Sequence, residues 1–196
     1  MNLSKFRKPF FLLVGALLVV GCSSERAFVG SSARIFYSDE RSVPLISPEK
    51  NSFSVEENQH VSGRFGDRSF SAKSWMLIND STIHLMIFGN IGNTLAELVY
   101  TEDSVSFKSS LIDGEKIKPE YILADIQFCY YPKEALERNF LPAGFSFEER
   151  RQGNVQVREL LENGRLILKM ERTSSRIFLK NELRNYSYSI EFERLR

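Results

Sequence analysis

Few side chains in this 196-residue chain stand in a pattern that could carry out covalent or metal chemistry. The chain has two cysteines, Cys22 and Cys129, and two histidines, His60 and His84. A cysteine nucleophile needs a neighbouring base, and no cysteine–histidine pattern is visible. The histidines lie in separate strand-like stretches without the spacing of metal ligands. We therefore expect a protein that is not an enzyme and has no metal or other cofactor; any catalysis would have to use Cys129 or Asp125.

The surroundings of Cys22 indicate a different chemistry, the covalent attachment of lipid. Lys5, Arg7 and Lys8 precede an apolar run over residues 9–20. That run is shorter than the about 20 residues needed to cross a bilayer, and the arrangement is typical of a signal peptide. The end of the run and the two residues after it, VVGC at 19–22, resemble a bacterial lipobox, which implies a diacylglycerol on the cysteine sulfur, cleavage before the cysteine and acylation of the new amine.

Lipidation at Cys22 would place the protein on a membrane. More than one acyl chain, palmitate for example, gives stable anchoring because each buried methylene contributes about 0.8 kcal/mol. The alternative is an ordinary secretory signal with a chance cysteine. Ser23, rather than an aspartate, follows Cys22. By resemblance to enterobacterial sorting signals this implies a lipid-anchored protein on the periplasmic face of the outer membrane, with residues 1–21 as the signal peptide.

Charge and length limit the remaining possibilities. Removal of three basic residues with the signal peptide changes the net charge from +1 to −2. This balance argues against a nucleic-acid partner.

With Cys22 lipidated, Cys129 has no disulfide partner. We expect residues 22–58 to form a tether with one early strand or helix near residues 33–37, and residues 59–196 to form a single domain.

Alternating apolar residues predict β-strands on both sides of a central region. The alternation begins at residue 60, and turn-forming residues interrupt it at 66–67, 79–81 and 101–103. Such short connections join antiparallel neighbours. After the central region the alternation returns, and Asn163-Gly164 predicts a tight hairpin because both residues tolerate positive φ.

Two proline-marked segments in the central region predict helices. Pro119 suits the first turn of one helix, and Pro132 ends that helix and opens a second, which stops at residues 142–144. The order of strands, two helices and strands predicts a mainly β (α+β) domain. Its single antiparallel sheet would carry both helices on one face.

Two stretches carry a family resemblance: FGNIGNTLAELVY at residues 88–100 and ILADIQFCYYP at residues 122–132. They resemble an uncharacterised proteobacterial lipoprotein family that is often encoded beside aryl-polyene biosynthesis genes. Over residues 60–195 the order of elements is also similar, more distantly, to the LolA/LolB lipoprotein carriers and receptors. That likeness implies an antiparallel half-barrel whose concave face holds an apolar cavity under two central helices.

The resemblance implies a non-catalytic protein that binds or transfers a hydrophobic ligand in the periplasm. The ligand would be an acyl or polyene lipid or a lipoprotein, and the partners would be membrane lipid and a periplasmic carrier protein. The alternative is an envelope scaffold or assembly lipoprotein with a solid core. Inward positions expected to line the cavity are Phe70, Trp75, Ile83, Leu85, Leu98, Phe107, Ile122, Ile126 and Tyr130, although a slip of one residue would turn strand positions to the other face.

Ile91 stands between Asn90 and Gly92 at a hairpin tip, where polar turn-forming residues are usual. In LolB the corresponding loop carries a leucine that enters the membrane, so the resemblance implies membrane contact by Ile91. The chain departs from LolB in having Gly89-Asn90 where the receptor has Asn-Pro. The alternative is that Ile91 folds back on the sheet edge.

Asp125 lies in an apolar helical stretch, where a carboxylate is costly unless it is hydrogen-bonded. It would either provide a polar contact at the cavity wall or pair with an arginine or a turn amide to dock the helix. Cys129, in the same helix, is expected to act as a small core hydrophobe.

Overall fold

The structure, a computed structural model, describes residues 24–29, 34–110 and 118–193. Cys22 and the predicted signal peptide lie outside these residues. The described chain is mainly β, with one large antiparallel sheet and two short α-helices, α1 (Pro119–Tyr130) and α2 (Lys133–Phe140). The predicted mainly β class is therefore confirmed.

Thirteen strands are formed by the described residues. They are β1 (Ser24–Val29), β2 (Arg34–Phe36), β3 (Ser42–Pro44), β4 (Val55–Phe65), β5 (Arg68–Ile78), β6 (Ile83–Phe88), β7 (Thr94–Tyr100), β8 (Ser104–Ser109), β9 (Ser146–Gln152), β10 (Val155–Glu162), β11 (Arg165–Arg172), β12 (Arg176–Asn181) and β13 (Tyr186–Phe192). Single 3-10 turns lie at Pro48–Lys50 and Leu141–Ala143.

Eleven of these strands form the sheet, in the order β1-β8-β7-β6-β5-β4-β13-β12-β11-β10-β9, and every pairing is antiparallel. β2 and β3 form a separate two-stranded hairpin. Within the described chain β1 and β9 are the two edges and do not pair with each other, so the sheet is not closed.

The local signals in the sequence give the turns and helix ends that the structure has. Asn163 (φ 52°) and Gly164 (φ 79°) form the hairpin turn between β10 and β11, as predicted. Pro119 is the first residue of α1, and Pro132 is the N-cap of α2. The missing N–H and fixed φ of proline favour the first helical position, which Pro119 occupies, and Pro132 cannot continue α1.

Cross-strand neighbours point to the same side of a sheet, and this defines an inner face. Met76, Leu85 and Leu98 lie opposite one another on β5, β6 and β7. Met76 and Leu98 are buried, and they belong to the core that packs against α1. We call this side of the sheet the inner face and the opposite side the outer face.

Residues 34–51 pack into the core. The sequence predicted a tether here with one early strand or helix near residues 33–37, and β2 lies in that range. Ile35 is 1% exposed, and Val43 and Leu45 are also buried. The Gln127 amide of α1 accepts a hydrogen bond from the Ile46 N–H (3.0 Å) and donates one to the Ile46 carbonyl (2.8 Å). This segment covers the side of α1 opposite the sheet, which explains why α1 is buried from Leu123 to Tyr130.

Candidate functional site

Four aromatic rings cluster on the inner face near one end of the sheet. β4 and β5 pair along their whole length, but β6 pairs with β5 only from Lys73 onward, so the β4–β5 hairpin extends beyond its neighbour. Ring centroids lie 5.8 Å apart for Phe65–Phe70, 5.1 Å for Phe65–Tyr186 and 6.3 Å for Tyr186–Tyr188. Each pair is stacked, a favourable arrangement for aromatic rings.

A glycine in β4 makes room for this cluster. Gly63 lies directly opposite Phe70 in β5 and Tyr188 in β13. A Cβ atom at Gly63 would overlap the Phe70 ring and come within 2.9 Å of the Tyr188 Cβ. The missing side chain therefore lets the Phe70 ring lie across the strand.

The inner face next to this cluster is apolar and incompletely covered. Phe65 is 45% exposed and Phe70 is 39% exposed. Val61, Leu85 and Ile87 on the same face are half-buried. Large apolar side chains normally gain about 1.5–3 kcal/mol by complete burial, so this surface retains capacity to bind apolar groups. We call it the open strip: Val61, Phe65, Phe70, Leu85, Ile87, Tyr186 and Tyr188.

Asp125 reaches from α1 to the edge of the open strip. The Tyr186 hydroxyl donates a 2.7 Å hydrogen bond to Asp125 Oδ2 and accepts one from the Asn181 amide at 3.3 Å. Burial raises the pKa of Asp125 to about 7, against the lowering effect of the Tyr186 and Tyr188 hydroxyls and the Arg184 charge. Tyrosine hydroxyls, rather than the expected arginine or turn amide, dock this carboxyl on the sheet.

Cys129 lies deep in the core. It is 1% exposed, and burial raises the pKa of its thiol well above the usual value, with a further contribution from the Asp125 charge. A thiol acts as a nucleophile only as the thiolate, so this environment disfavours reaction at Cys129.

Most of the side chains predicted to line a cavity lie on or against the inner face. Ile83, Leu98 and Phe107 are fully buried sheet residues, whereas Leu85 is half-buried and Phe70 belongs to the open strip. In α1, Ile126 and Tyr130 are each 7% exposed and Ile122 is half-buried.

Trp75 does not share that face and is a correction to the predicted set. It lies opposite Asn58 in β4 and Met86 in β6, one residue out of phase with the inward Ser74 and Met76. Its indole N–H donates to Glu56 Oε1 (3.1 Å) on the outer face. Phe70 and Trp75 are five residues apart in β5, so alternation places them on opposite faces and the predicted set could not hold for both.

A cavity of about 10 Å³ lies between the β2–β3 hairpin and the two helices, lined by residues such as Ile35, Ala124 and Leu136. Such a volume holds about one water molecule. The cavity is therefore on the side of α1 away from the sheet and is too small for a lipid chain.

Ile91 is 90% exposed at the tip of the β6–β7 hairpin. The Gly89 N–H bonds to the Asn93 carbonyl (2.8 Å) and the Gly92 N–H to the Gly89 carbonyl (2.9 Å), with Gly92 at φ 83°. These bonds hold the tip in a closed turn. The alternative position, folded back on the sheet edge, does not occur.

The two histidines lie apart from this site. His60 bonds to Ser71 (2.9 Å), and His84 pairs with Glu97 (2.9 Å) beside Trp75. Over the described residues, no group of three or more His, Cys, Asp or Glu side chains is placed to hold a metal ion. In the same part of the chain no helix is long and apolar enough to cross a membrane.

A family model described as "Protein of unknown function (DUF3261)" matches residues 56–195. The chain belongs to this family. The match starts beside the first residue of β4 and includes the open strip, α1 and Ile91, so the DUF3261 domain contains every feature of this site. The predicted membership of an uncharacterised family is confirmed at this level. None of the curated proteins matches the chain.

Sequence reasoning missed three aromatic residues of the DUF3261 site. Phe65 was assigned to a strand but not to the site, and Tyr186 and Tyr188 were not considered. The signal was present, because the alternation in YSYSIEF places both tyrosines on one face of β13. Their contact with α1 is non-local, so the sequence did not indicate that this face is the inner one.

Proposed function

We propose that this DUF3261 protein is a non-catalytic outer-membrane lipoprotein that holds a hydrophobic ligand against the inner face of its sheet, in the periplasm. The observation that carries the proposal is the open strip, where Phe65 and Phe70 remain partly exposed beside half-buried Val61, Leu85 and Ile87. A flexible acyl chain or a rigid polyene chain, free or attached to a lipoprotein, fits such a surface because apolar area removed from water contributes about 25 cal/mol per Å².

The fold proposed for this role is a LolA/LolB-like half-barrel. An eleven-stranded sheet with unpaired edges and a helix on one face is compatible with it. Strand twist accumulates over so many neighbours and favours a curved sheet. A periplasmic carrier could then deliver or accept the ligand at the open strip.

We also propose that the protein catalyses no reaction. The Cys129 thiol is buried with a raised pKa, and Asp125 is engaged by Tyr186. A nucleophile or general base must reach the reacting atoms, and neither group is accessible.

A second candidate is an envelope scaffold with a solid core. The burial of α1 from Leu123 to Tyr130 favours it, since these helix side chains are themselves part of the core. In that case the open strip would bind no lipid.

A fluorescent fatty acid distinguishes the two candidates. We expect the mature protein to bind it, and Phe70→Ser to weaken binding about ten-fold, because a phenyl ring on an apolar surface contributes roughly 1.5–3 kcal/mol. The matched control is Phe178→Ser: Phe178 is 36% exposed, close to the 39% of Phe70, but lies between the buried Ile177 and Leu179 and so points to the outer face. Binding is measured by fluorescence titration.

Equal loss in the Phe70 and Phe178 variants would exclude the open strip as the ligand surface. No binding by the unaltered protein would support the scaffold.

Membrane attachment is tested separately. Cys22→Ala should leave the protein unprocessed or soluble, because the acyl chains provide stable anchoring. Cys129→Ala is the control and should remain in the outer-membrane fraction, since Cys129 is a buried core residue. Membrane fractionation and immunoblotting give the answer, and a Cys22→Ala protein that stays in the outer membrane contradicts lipidation.

A further inference from the structure

One edge of the sheet is a strand without the usual protection against pairing. β9 pairs with β10 along its whole length without a register shift, and no described strand pairs with its other side. Exposed edges are usually protected by proline, lysine, a bulge or a short strand, because their backbone groups pair readily with other chains. β9 has seven residues and contains neither proline nor lysine. The described chain is continuous on both sides of this strand, over residues 118–193.

The turn after β9 determines which backbone groups face outward. Gly153 and Asn154 form a two-residue turn between Gln152 and Val155, which are paired. Residues that flank such a turn form a hydrogen-bonded pair, and hydrogen-bonded and non-hydrogen-bonded pairs then alternate along the antiparallel ladder. The even-numbered residues of β9 therefore direct their N–H and carbonyl groups to β10. The groups that point away from β10 belong to Phe147, Glu149 and Arg151.

The residue before β9 shows the same phase, and the rest of the edge is open. Phe145 is an odd-numbered residue, and its N–H donates to the Phe140 carbonyl at the end of α2 (3.3 Å) rather than to β10. Elsewhere in the described chain no further backbone hydrogen bond reaches Phe147, Glu149 or Arg151. These three alternate residues therefore present backbone donors and acceptors to a partner.

A second copy of this strand fits the edge best in one register. If Glu149 lies on a two-fold axis perpendicular to the sheet, it pairs with Glu149 of the second copy, and Phe147 pairs with Arg151 on either side. All three outward residues then belong to hydrogen-bonded pairs, with two bonds in each pair. A shift of two residues in either direction leaves one of the three outside such pairs.

Charge complementarity favours the same register. Glu148 and Arg150 are neighbours on the outer face, and the Glu148 side chain is 62% exposed. Within one copy Glu148 lies opposite Glu159, while Arg150 binds Glu159 at 2.6 Å and lies 3.9 Å from Glu148. In the paired edges, Glu148 of each copy lies directly opposite Arg150 of the other. Opposite charges at such positions stabilise a sheet.

The inner face is compatible with this pairing. Glu149 lies beside its counterpart on the two-fold axis, where like charges are unfavourable. Each Glu149 is bonded to Arg158 of its own copy at 2.7 Å, which offsets the repulsion. Arg151 is exposed and lies opposite Phe147 of the other copy, so its aliphatic stem can cover that ring.

We propose that β9 is a homodimer interface, in which the β9 strands of two copies pair antiparallel about Glu149 and join their sheets into one. The partner at this edge is therefore a second copy of this chain. The inference does not depend on the proposed ligand binding. Because the two-fold axis is perpendicular to the sheet, the inner faces of the two copies lie on the same side where the strands meet.

Sedimentation equilibrium of the mature protein, in a non-ionic detergent that matches the solvent density, measures the association. We expect a dimer. Glu148→Arg should weaken it about ten-fold, because symmetry places the repulsion from Arg150 in two contacts. Glu148→Arg/Arg150→Glu should restore the dimer, since opposite charges then face each other again. This double variant also retains an ion pair within the hairpin, because position 148 lies opposite Glu159.

Asp80→Arg is the matched control. It makes the same change of net charge, and Asp80 is exposed in the β5–β6 connection, several strands away from β9. The control should leave the dimer unchanged. A monomeric wild-type protein, or equal weakening by Glu148→Arg and Asp80→Arg, overturns the proposal. A double variant that associates as weakly as Glu148→Arg overturns it too, because the two charges would then not face each other. Assemblies larger than a dimer would indicate head-to-tail pairing of β9 with β1 and would also contradict it.

Discussion

The wild-type protein should lose stability as pH rises from 4 to 8, and Asp125→Asn should not show this loss. Burial raises the pKa of Asp125 from 3.8 to about 7, so the folded state favours the protonated carboxyl. The stabilising contribution of this group is therefore complete below pH 3.8 and is lost as pH rises through about 7. Three pKa units correspond to about 4 kcal/mol.

The variant isolates this effect because asparagine does not titrate. Neighbouring titratable groups do not change in this window: burial raises the pKa values of Tyr37, Cys129, Tyr186 and Tyr188 above their usual values. The Arg184 guanidinium stays charged. The difference in unfolding free energy between wild type and variant should thus change by about 4 kcal/mol between pH 4 and 8, in favour of the variant at high pH.

Urea unfolding at several pH values measures this difference. Asp67→Asn provides the control, because Asp67 lies in the β4–β5 turn and its side chain is fully exposed. That substitution should leave the pH profile unchanged. Parallel profiles for wild type and Asp125→Asn would show that the carboxyl is ionised in the folded protein throughout.

This titration bears on the proposed ligand surface. Asp125 is bonded to Tyr186, whose ring stacks on Phe65 in the open strip. Burial raises the pKa of this carboxyl, so its ionisation would place a charge in the contact that joins α1 to β13.

Local signals predicted the elements of this fold well. Proline set the starts of both helices, and Asn163-Gly164 set a hairpin, because these residues restrict or permit particular φ values whatever surrounds them. Local turn chemistry placed Ile91 at a hairpin tip but left open whether it is exposed or folded back on the sheet edge. Such features depend on a few adjacent residues, which a single sequence displays.

Non-local packing accounts for what the sequence did not predict. Residues 34–51 are polar enough to suggest a tether, yet Ile35 is buried and Gln127 bonds both backbone groups of Ile46. The partners in that contact are 81 residues apart. Trp75 was assigned to the same face as Phe70, although the two are five residues apart in one strand and alternation places them on opposite faces. The position of Tyr188 in the open strip was also not predicted, because the sequence does not indicate which face of β13 is the inner one.

Arg158→Met should destabilise the protein by about 3–5 kcal/mol, because it breaks a buried ion pair and leaves a carboxylate and a carbonyl without their partner. Arg158 Nε donates to Glu149 Oε2 and its Nη1 to the Phe128 carbonyl, both at 2.7 Å. The side chain is 6% exposed. Phe128 lies in the last turn of α1, where a cation is favourable. Arg158 thus joins the end of α1 to β9 and β10 at once.

The same two strands provide a matched control. Arg150 in β9 pairs with Glu159 in β10 at 2.6 Å and 3.0 Å, but on the outer face, where the Arg150 side chain is 39% exposed. Arg150→Met should change the free energy of unfolding less, since the Arg150 side chain is 39% exposed against 6% for Arg158 and water reaches this pair from the arginine side. Urea unfolding at pH 7 and moderate salt compares the two variants directly.

Arg158→Met/Glu149→Leu separates the cost of the unpaired charge from the loss of packing. Removing Glu149 as well should recover part of the stability, because no carboxylate then remains without its partner. Equal losses of unfolding free energy for Arg158→Met and Arg150→Met would mean that the inner face at β9–β10 is as accessible to water as the outer face. This outcome would contradict the packing of α1 against this part of the sheet.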